Sequence, residues 1–439
     1  MKKNLLLCLA AVCMTTACRH DEVKDIPPNP PDSELFSPKG IAEIRIRLLN
    51  DKSIDDIKND NDASYSGKME AEIVIQNSAH SDYDGGQLYT GRILIEGRGY
   101  SSWDLPKKSY NIDLKTADGS DNPSPLLDMP ACDEWCLQTF GFDRSLMRIP
   151  LAMYLGQRTK GIEWTPRTKY AELWVNDEYR GLYTLTEKIL RDKNRINIEP
   201  LNSSPDNLSG GYILEENTKT LSTLEREKQF FTGIGQVPIG FKYPKAKNVT
   251  DAQREWIMNY MREFETVLWN DDVFKDPIEG YQKYIDKESF IDWTILIEHS
   301  ADIDHAGNIS NYLHKDKDRT LKMSAPWDFD RAYGNETAAI EGNYVRIVHW
   351  YGRLAQDEAY LTQYKARMRE LKPLFDRIPD IIDANLAQLQ AAGVMEREAQ
   401  RWAELPSWTG CETREEEIQF LKHWIQGRTE WCYKEIGIY

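Results

Sequence analysis

After the first few residues the chain has no apolar run long enough to span a bilayer, so a membrane can hold it only through its start. Positive charge is also short. Lys and Arg number 55 against 71 Asp and Glu, a formal net charge of −16. Such a chain gains nothing from a phosphate backbone, and no basic patch interleaved with aromatics offsets this, which excludes nucleic acid as an expected partner. No internal repeat is present, which sets solenoids aside. Cysteine is scarce, at 7. Setting aside Cys8, Cys13 and Cys18 leaves Cys132, Cys136, Cys411 and Cys432, two pairs spaced unlike each other with no His beside them, which disfavours zinc.

What is present is a folded composition, 41% hydrophobic and 11% aromatic, in 439 residues. That length exceeds the roughly 250–300 residues one core serves, so two lobes are expected. The basic start Met1-Lys-Lys-Asn, a short apolar run and Thr15-Thr-Ala-Cys18 resemble a bacterial lipoprotein signal. Residues 1–17 would then be removed and Cys18 acylated, making a lipid anchor the expected membrane attachment. The alternative is an ordinary secretory signal cut elsewhere. Asp21 and Glu22 resemble the acidic export tag of surface lipoproteins, and Ile26-Pro-Pro-Asn-Pro-Pro31 reads as part of a stiff tether over 18–38. The expected location is the cell envelope, at the outer membrane and facing outward. An oxidising compartment makes one or two disulfides among the four remaining cysteines an expectation.

Apolar alternation over 41–49, 69–76 and 91–97 predicts half-buried strands, and segments 170–175 and 181–186 around Asn176-Asp-Glu predict a hairpin. A β-rich lobe is therefore expected over 39–215 and a mostly helical lobe over 216–439, an α+β chain. Residues 143–157 read as a helix interrupted at Pro150. Asp286 is placed to cap a helix over 287–300 that is apolar nearly all round, and further helices are expected over 251–269, 359–375, 380–392 and 414–435.

The densest chemistry lies at Pro326-Trp-Asp-Phe-Asp330. Two carboxylates one residue apart beside a helix-breaking Pro suit a hard cation such as Mg²⁺ or Ca²⁺. An isolated Asp-x-Asp is more often a solvated turn, but Asp302, Asp304, His305, Asn308 and Asn311 precede this one, between an apolar helix and an apolar strand. That order is similar to an Asp/Asn catalytic loop followed by a metal-binding Asp. On the strand after Pro106, the alternation places Lys108 with Tyr110, Ile112 and Leu114, and Lys107 on the other face. A lysine aimed with apolar neighbours needs an anionic partner, and phosphate is one. A strand-end lysine reaching back to water is the alternative.

Five segments in order resemble the CotH kinase family: Gly97-Arg-Gly-Tyr-Ser-Ser-Trp with Pro106-Lys-Lys-Ser-Tyr110; Asp143-Arg-Ser-Leu-Met-Arg148; Leu173-Trp-Val-Asn-Asp-Glu-Tyr-Arg-Gly-Leu-Tyr-Thr-Leu-Thr-Glu187; Asn311-Tyr-Leu; and Pro326-Trp-Asp-Phe-Asp330. The resemblance implies an atypical protein-kinase-like two-lobed fold that transfers the ATP γ-phosphate to Ser of a protein substrate, with Mg²⁺, Mn²⁺ or Ca²⁺. It implies Lys108 on the phosphates, with Lys107 and Glu187 as further nucleotide candidates. Asp304 would lie at the substrate hydroxyl, Asn311 and Asp328 on metal, and Asp330 as a second metal or supporting carboxylate. Tyr100 and Pro150 depart from the family pattern. The spacing from Asp304 to Asn311 is also long, so Asp302 or Asn308 can hold either role. Because an envelope protein meets little ATP, a non-catalytic surface lipoprotein binding a protein or glycan through Trp402 and Trp408 is the alternative, and a metal-dependent phosphohydrolase a third.

Overall fold

The computed structural model describes residues 34–50, 53–56, 67–78, 89–99, 101–202, 204, 207–216, 228–336 and 339–438. The leader, Cys18, most of the tether and Tyr100 lie outside the described residues. Where the tether was expected to continue to residue 38, Phe36 and Ser37 are already buried, and the Phe36 amide donates to Asn385 Oδ1 at 2.7 Å.

The chain is α+β, and its first sheet closes on itself. Strands β1 (Ala42–Leu48), β2 (Met69–Asn77), β3 (Tyr89–Arg98), β4 (Ser109–Lys115), β7 (Glu134–Gln138), β8 (Thr168–Val175) and β9 (Glu178–Glu187) form a barrel in the order β1-β2-β3-β4-β7-β9-β8. A small hairpin of β5 (Ser124–Leu126) and β6 (Met129–Cys132) precedes β7. Only the closing pair, β1 with β8, is parallel. The period-2 alternation explains the filling: Ile44, Ile46, Ile73, Ile75, Ile93, Ile95, Ile112, Leu173 and Leu185 share one buried cluster. Asn176 and Asp177, both at positive φ, make the two-residue turn between β8 and β9.

The expected lobe boundary at residue 215 falls inside a strand, Tyr212–Glu216, that does not join the barrel. As β10 (Tyr212–Glu216) it is the central strand of a second sheet, flanked by β12 (Pro238–Tyr243) and β13 (Asn311–Lys315), with β11 (Phe230–Phe231) and β14 (Leu321–Met323) at the edges. The helices are α1 (Arg148–Gly156), α2 (Asp251–Leu268), α3 (Lys287–Ser300), α4 (Ile303–Ala306), α5 (His349–Leu354), α6 (Glu358–Phe375), α7 (Ile378–Ala391), α8 (Val394–Arg401) and α9 (Arg414–Ile436). No described helix is long and apolar enough to cross a membrane.

Three local corrections have physical causes. The helix expected from residue 143 starts at Arg148, because Asp143 accepts the Met147 and Arg148 amides at 3.0 and 2.8 Å and the Arg148 guanidinium at 2.6 Å. Pro150 then falls in the first turn, where an amide has no helical partner to lose. The expected disulfide is absent: all four cysteines are free. Cys411 precedes α9 and Cys432 lies near its end, about 27 Å from the helix start at the helical rise, while Cys132 and Cys136 face different clusters. Trp402, expected on the surface, is buried with its indole N–H donated to Arg180 O at 2.9 Å; Trp408 is 46% exposed.

Helix α8 ties the helical half to the barrel. Glu398 accepts the Leu182 amide on β9 at 2.7 Å and the Lys107 ammonium at 2.5 Å, with both charged side chains fully buried. This close approach depends on Gly181 (φ +95°), where a Cβ would stand 2.3 Å from the Glu398 carboxylate.

Candidate active site

Helix α3 is buried from Ser289 to Ser300 and is capped by Asp286, whose side chain accepts the Ser289 amide at 2.8 Å. It ends at Ala301 in the left-handed region, and the chain then turns into the polar loop at Asp302. Asp302 caps α4, with Oδ1 accepting the amides of Asp304 and His305 at 3.0 and 3.2 Å and standing 2.9 Å from His305 Nδ1. The other ring nitrogen of His305 is 2.8 Å from Trp327 O, and because a carbonyl only accepts, Nε2 carries a proton. Burial opposes the imidazolium, yet Asp302, Asp328 and the Trp327 carbonyl outweigh it and raise the pKa. His305, its ring 4.6 Å from Phe329, thus clips the polar loop to the 326–330 turn.

Asp328 adopts φ +66°, and Ala301, Asn308, Ser310 and Tyr333 are also non-glycine residues at positive φ, so strained backbone gathers around this loop and turn. Burial raises the pKa of Asp328, with Arg98 and His305 pulling it down and Asp302 and Asp304 pushing it up. Asp330 is raised well above the carboxylate range by burial and then by Asp328 and Asp302. Ser310 Oγ is 3.4 Å from Asp328 Oδ2. Asp304 lies at the edge of this group, with Oδ2 3.1 Å from Arg331 Nη1, and Arg331 also pairs with Glu336.

Asn311 opens β13 opposite Glu216 on β10. Its Nδ2 donates to Glu216 Oε2 at 2.8 Å and to His305 O at 2.9 Å, while its Oδ1 is buried without a partner. Asp302 Oδ2 is likewise buried and unpartnered. Among the described residues no three His, Cys, Asp or Glu side chains converge as an ion site. The donor chemistry nevertheless fits a hard cation: two half-buried carboxylates, of which Asp328 raises the pKa of Asp330, and a buried amide oxygen with no partner.

The lysines lie elsewhere. Strand β4 begins only at Ser109, so the alternation does not extend back to the lysine pair. Lys107 is the buried one, locked on Glu398 and on Leu182 O at 2.7 Å. Lys108 folds back on its own loop, donating to Trp103 O at 2.5 Å and Leu105 O at 3.2 Å, 4.6 Å from the Trp103 ring. Glu187, fully buried, accepts the amide and Nε of Arg167, both at 2.9 Å, with Arg195 3.3 Å away. The structure therefore sets Asp304 and Asp330 in the electrostatic surroundings of Asp328, ties Asn311 to His305 and Glu216, and holds Lys107, Lys108 and Glu187 in contacts of their own.

The match to the family model for the CotH kinase protein runs over residues 95–432. The chain belongs to the CotH kinase family. A search of curated proteins returns no match. Membership suggests a kinase-like protein and, in general, the use of ATP and a divalent metal. A further cation in the surroundings of the acidic turn of this CotH kinase chain is Arg98, at the end of β3. Its guanidinium lies 5.3 Å from the Trp327 ring, and although burial opposes its charge, neighbours that include Asp328 and Asp330 raise its pKa. Sequence reading passed over Arg98 because it lies between two glycines in a loop motif where the eye goes to flexibility. The signal that marks it is its position at the end of an alternating strand.

Proposed function

We propose that the chain is a metal-dependent protein kinase of two-lobed, kinase-like arrangement that passes the ATP γ-phosphate to a Ser hydroxyl of a protein substrate. The nucleotide would lie between the barrel and the second sheet. Arg98 would meet the phosphates, Asp328 and Asn311 Oδ1 would hold a Mg²⁺ or Mn²⁺ ion with Asp330 in support, and Asp304 would receive the hydroxyl proton. The bound ion would screen the phosphate charge, and the rest of the work is positioning, which phosphoryl transfer chiefly needs. His305 serves here by fixing the loop against the turn. The observation that carries the reading is the gathering of Asp302, Asp304, Asp328 and Asp330 in one electrostatic group with Arg98. As a lipoprotein anchored at Cys18, the enzyme would act on a protein partner at the envelope surface.

The test is calorimetry of the soluble domain with ATP, with and without Mn²⁺, on wild type, Asp328→Asn and Asp304→Asn. Metal-dependent binding is expected to weaken strongly in Asp328→Asn, and to persist in Asp304→Asn while transfer is lost. Wild-type protein that binds no nucleotide with any metal would remove this reading. The surface-binding alternative would then rest on Trp408, the exposed one of its two tryptophans, which packs 5.2 Å from Phe142.

A further inference from the structure

Two consecutive carboxylates close β10, and the sheet register sets each opposite a residue of β13: Glu215 with Tyr312, and Glu216 with Asn311. Successive strand residues point to opposite faces, so the two glutamates do different work. Glu215 accepts the Tyr312 hydroxyl at 2.9 Å and is half-buried. Glu216 is fully buried, and its described contact is the Asn311 amide at 2.8 Å. A carboxyl buried with a side-chain amide as its described hydrogen-bond partner is a costly residue to keep for packing alone.

A side-chain amide can face either way, and its neighbours decide which. The His305 carbonyl against the Asn311 nitrogen can only accept, and Glu216 Oε2 is the second oxygen beside it, so the NH₂ end faces them. A flipped amide would set its oxygen against two oxygens. The carbonyl Oδ1 is thereby committed to the opposite side, where the protein gives it no partner. We propose that Glu216 is a positioning residue that fixes the amide of Asn311 with its oxygen presented to a divalent cation. This rests on the kinase reading above. It concerns a residue that touches neither the cation nor ATP and that acts from across the sheet. Glu216 lies on a strand remote in sequence from the 326–330 turn, so a cation site assembled from the loop depends on β10 being in register.

The experiment compares ATP affinity with Mn²⁺ and without metal for wild type, Glu216→Leu, Glu216→Gln and Asn311→Ala. Loss of a group that orients a metal ligand weakens binding by roughly 10- to 100-fold. Glu216→Leu is expected to lose about tenfold or more in the presence of Mn²⁺ and to keep its metal-free affinity, because the ion and not the nucleotide depends on the amide. Glu216→Gln keeps an acceptor oxygen and is expected to restore metal-dependent affinity to near wild type. In the Asn311→Ala background, Glu216→Leu is expected to cost nothing further. Unchanged Mn²⁺ dependence in Glu216→Leu overturns the assignment, as does an equal fall with and without metal. If Glu216→Leu does not fold, a Glu216→Gln protein as defective as Asn311→Ala overturns it as well. Wild-type protein without metal-dependent binding fails the kinase reading first, and so is told apart.

Discussion

Replacing Lys107 by Met separates a structural lysine from a nucleotide ligand. The ammonium is fully buried between Glu398 and Leu182 O, so its removal strands a carboxylate on α8 with the Leu182 amide and, at 4.0 Å, Arg414 as its remaining partners. Breaking a buried pair from one side costs about 3–5 kcal/mol. At roughly 2 cal/mol/K per residue, a chain of this length loses about a degree for each 0.9 kcal/mol, so a fall of about 3–6 °C in Tm is expected. Lys107→Met with Glu398→Leu is expected to recover much of that loss. The pH dependence carries a sign. Burial lowers the Lys107 pKa from 10.5 to about 8 against the pull of Glu398. Between those values the unfolded chain binds the extra proton, so this lysine's contribution to stability is complete above 10.5 and is lost as the pH falls through 8. Thermal melts from pH 7.5 to 9.5 should therefore show a rising component in wild type that Lys107→Met lacks. Nucleotide affinity of the folded variant is expected to stay within a factor of two. A variant with wild-type Tm and an ATP affinity reduced tenfold would refute the whole line of reasoning and return Lys107 to the phosphates.

Arg98→Met should weaken ATP by roughly 10- to 100-fold, since a hydrogen bond to a charged group contributes about 1.5–3 kcal/mol, whereas Lys108→Met should change it little; calorimetry on the two variants decides, and the reverse ranking would reassign the phosphate cation. Thiol titration of denatured soluble domain beginning after Cys18 should find four free cysteines without reductant, and two or fewer would contradict the separation of Cys411 from Cys432 along α9. Cys18→Ser should release the protein from the membrane fraction and abolish fatty-acid labelling, and unchanged labelling would dismiss the anchor.

The sequence carried the elements further than it carried the orientations. Asp286 as cap, the helix over 287–300 and the Asn176-Asp turn were legible because capping and turn chemistry are local. Closure of the barrel was not, since it depends on β1 meeting β8 in parallel, a pairing that no local pattern announces. Nor was the placement of β10, whose alternation suits either sheet. At the site, Asp304, Asn311, Asp328 and Asp330 were found as chemistry-bearing residues in a short span. Arg98 and Glu216 did not stand out, because their neighbours, Asp328 and Asn311 among them, lie far away in the chain. The lysine pair was misjudged in orientation by extending a period-2 pattern back past Ser109, where the strand has not begun.

Closure of the barrel has a consequence for how the molecule coexists with its own copies. A sheet that seals on itself offers no row of unpaired amides and carbonyls to a neighbour. The open edges of the second sheet are β11, of two residues, and β14, of three, and Leu321 of β14 is further bridged to Ile285. Such short edges template poorly. A chain with this much strand is thereby protected against strand-to-strand association along the sheets described.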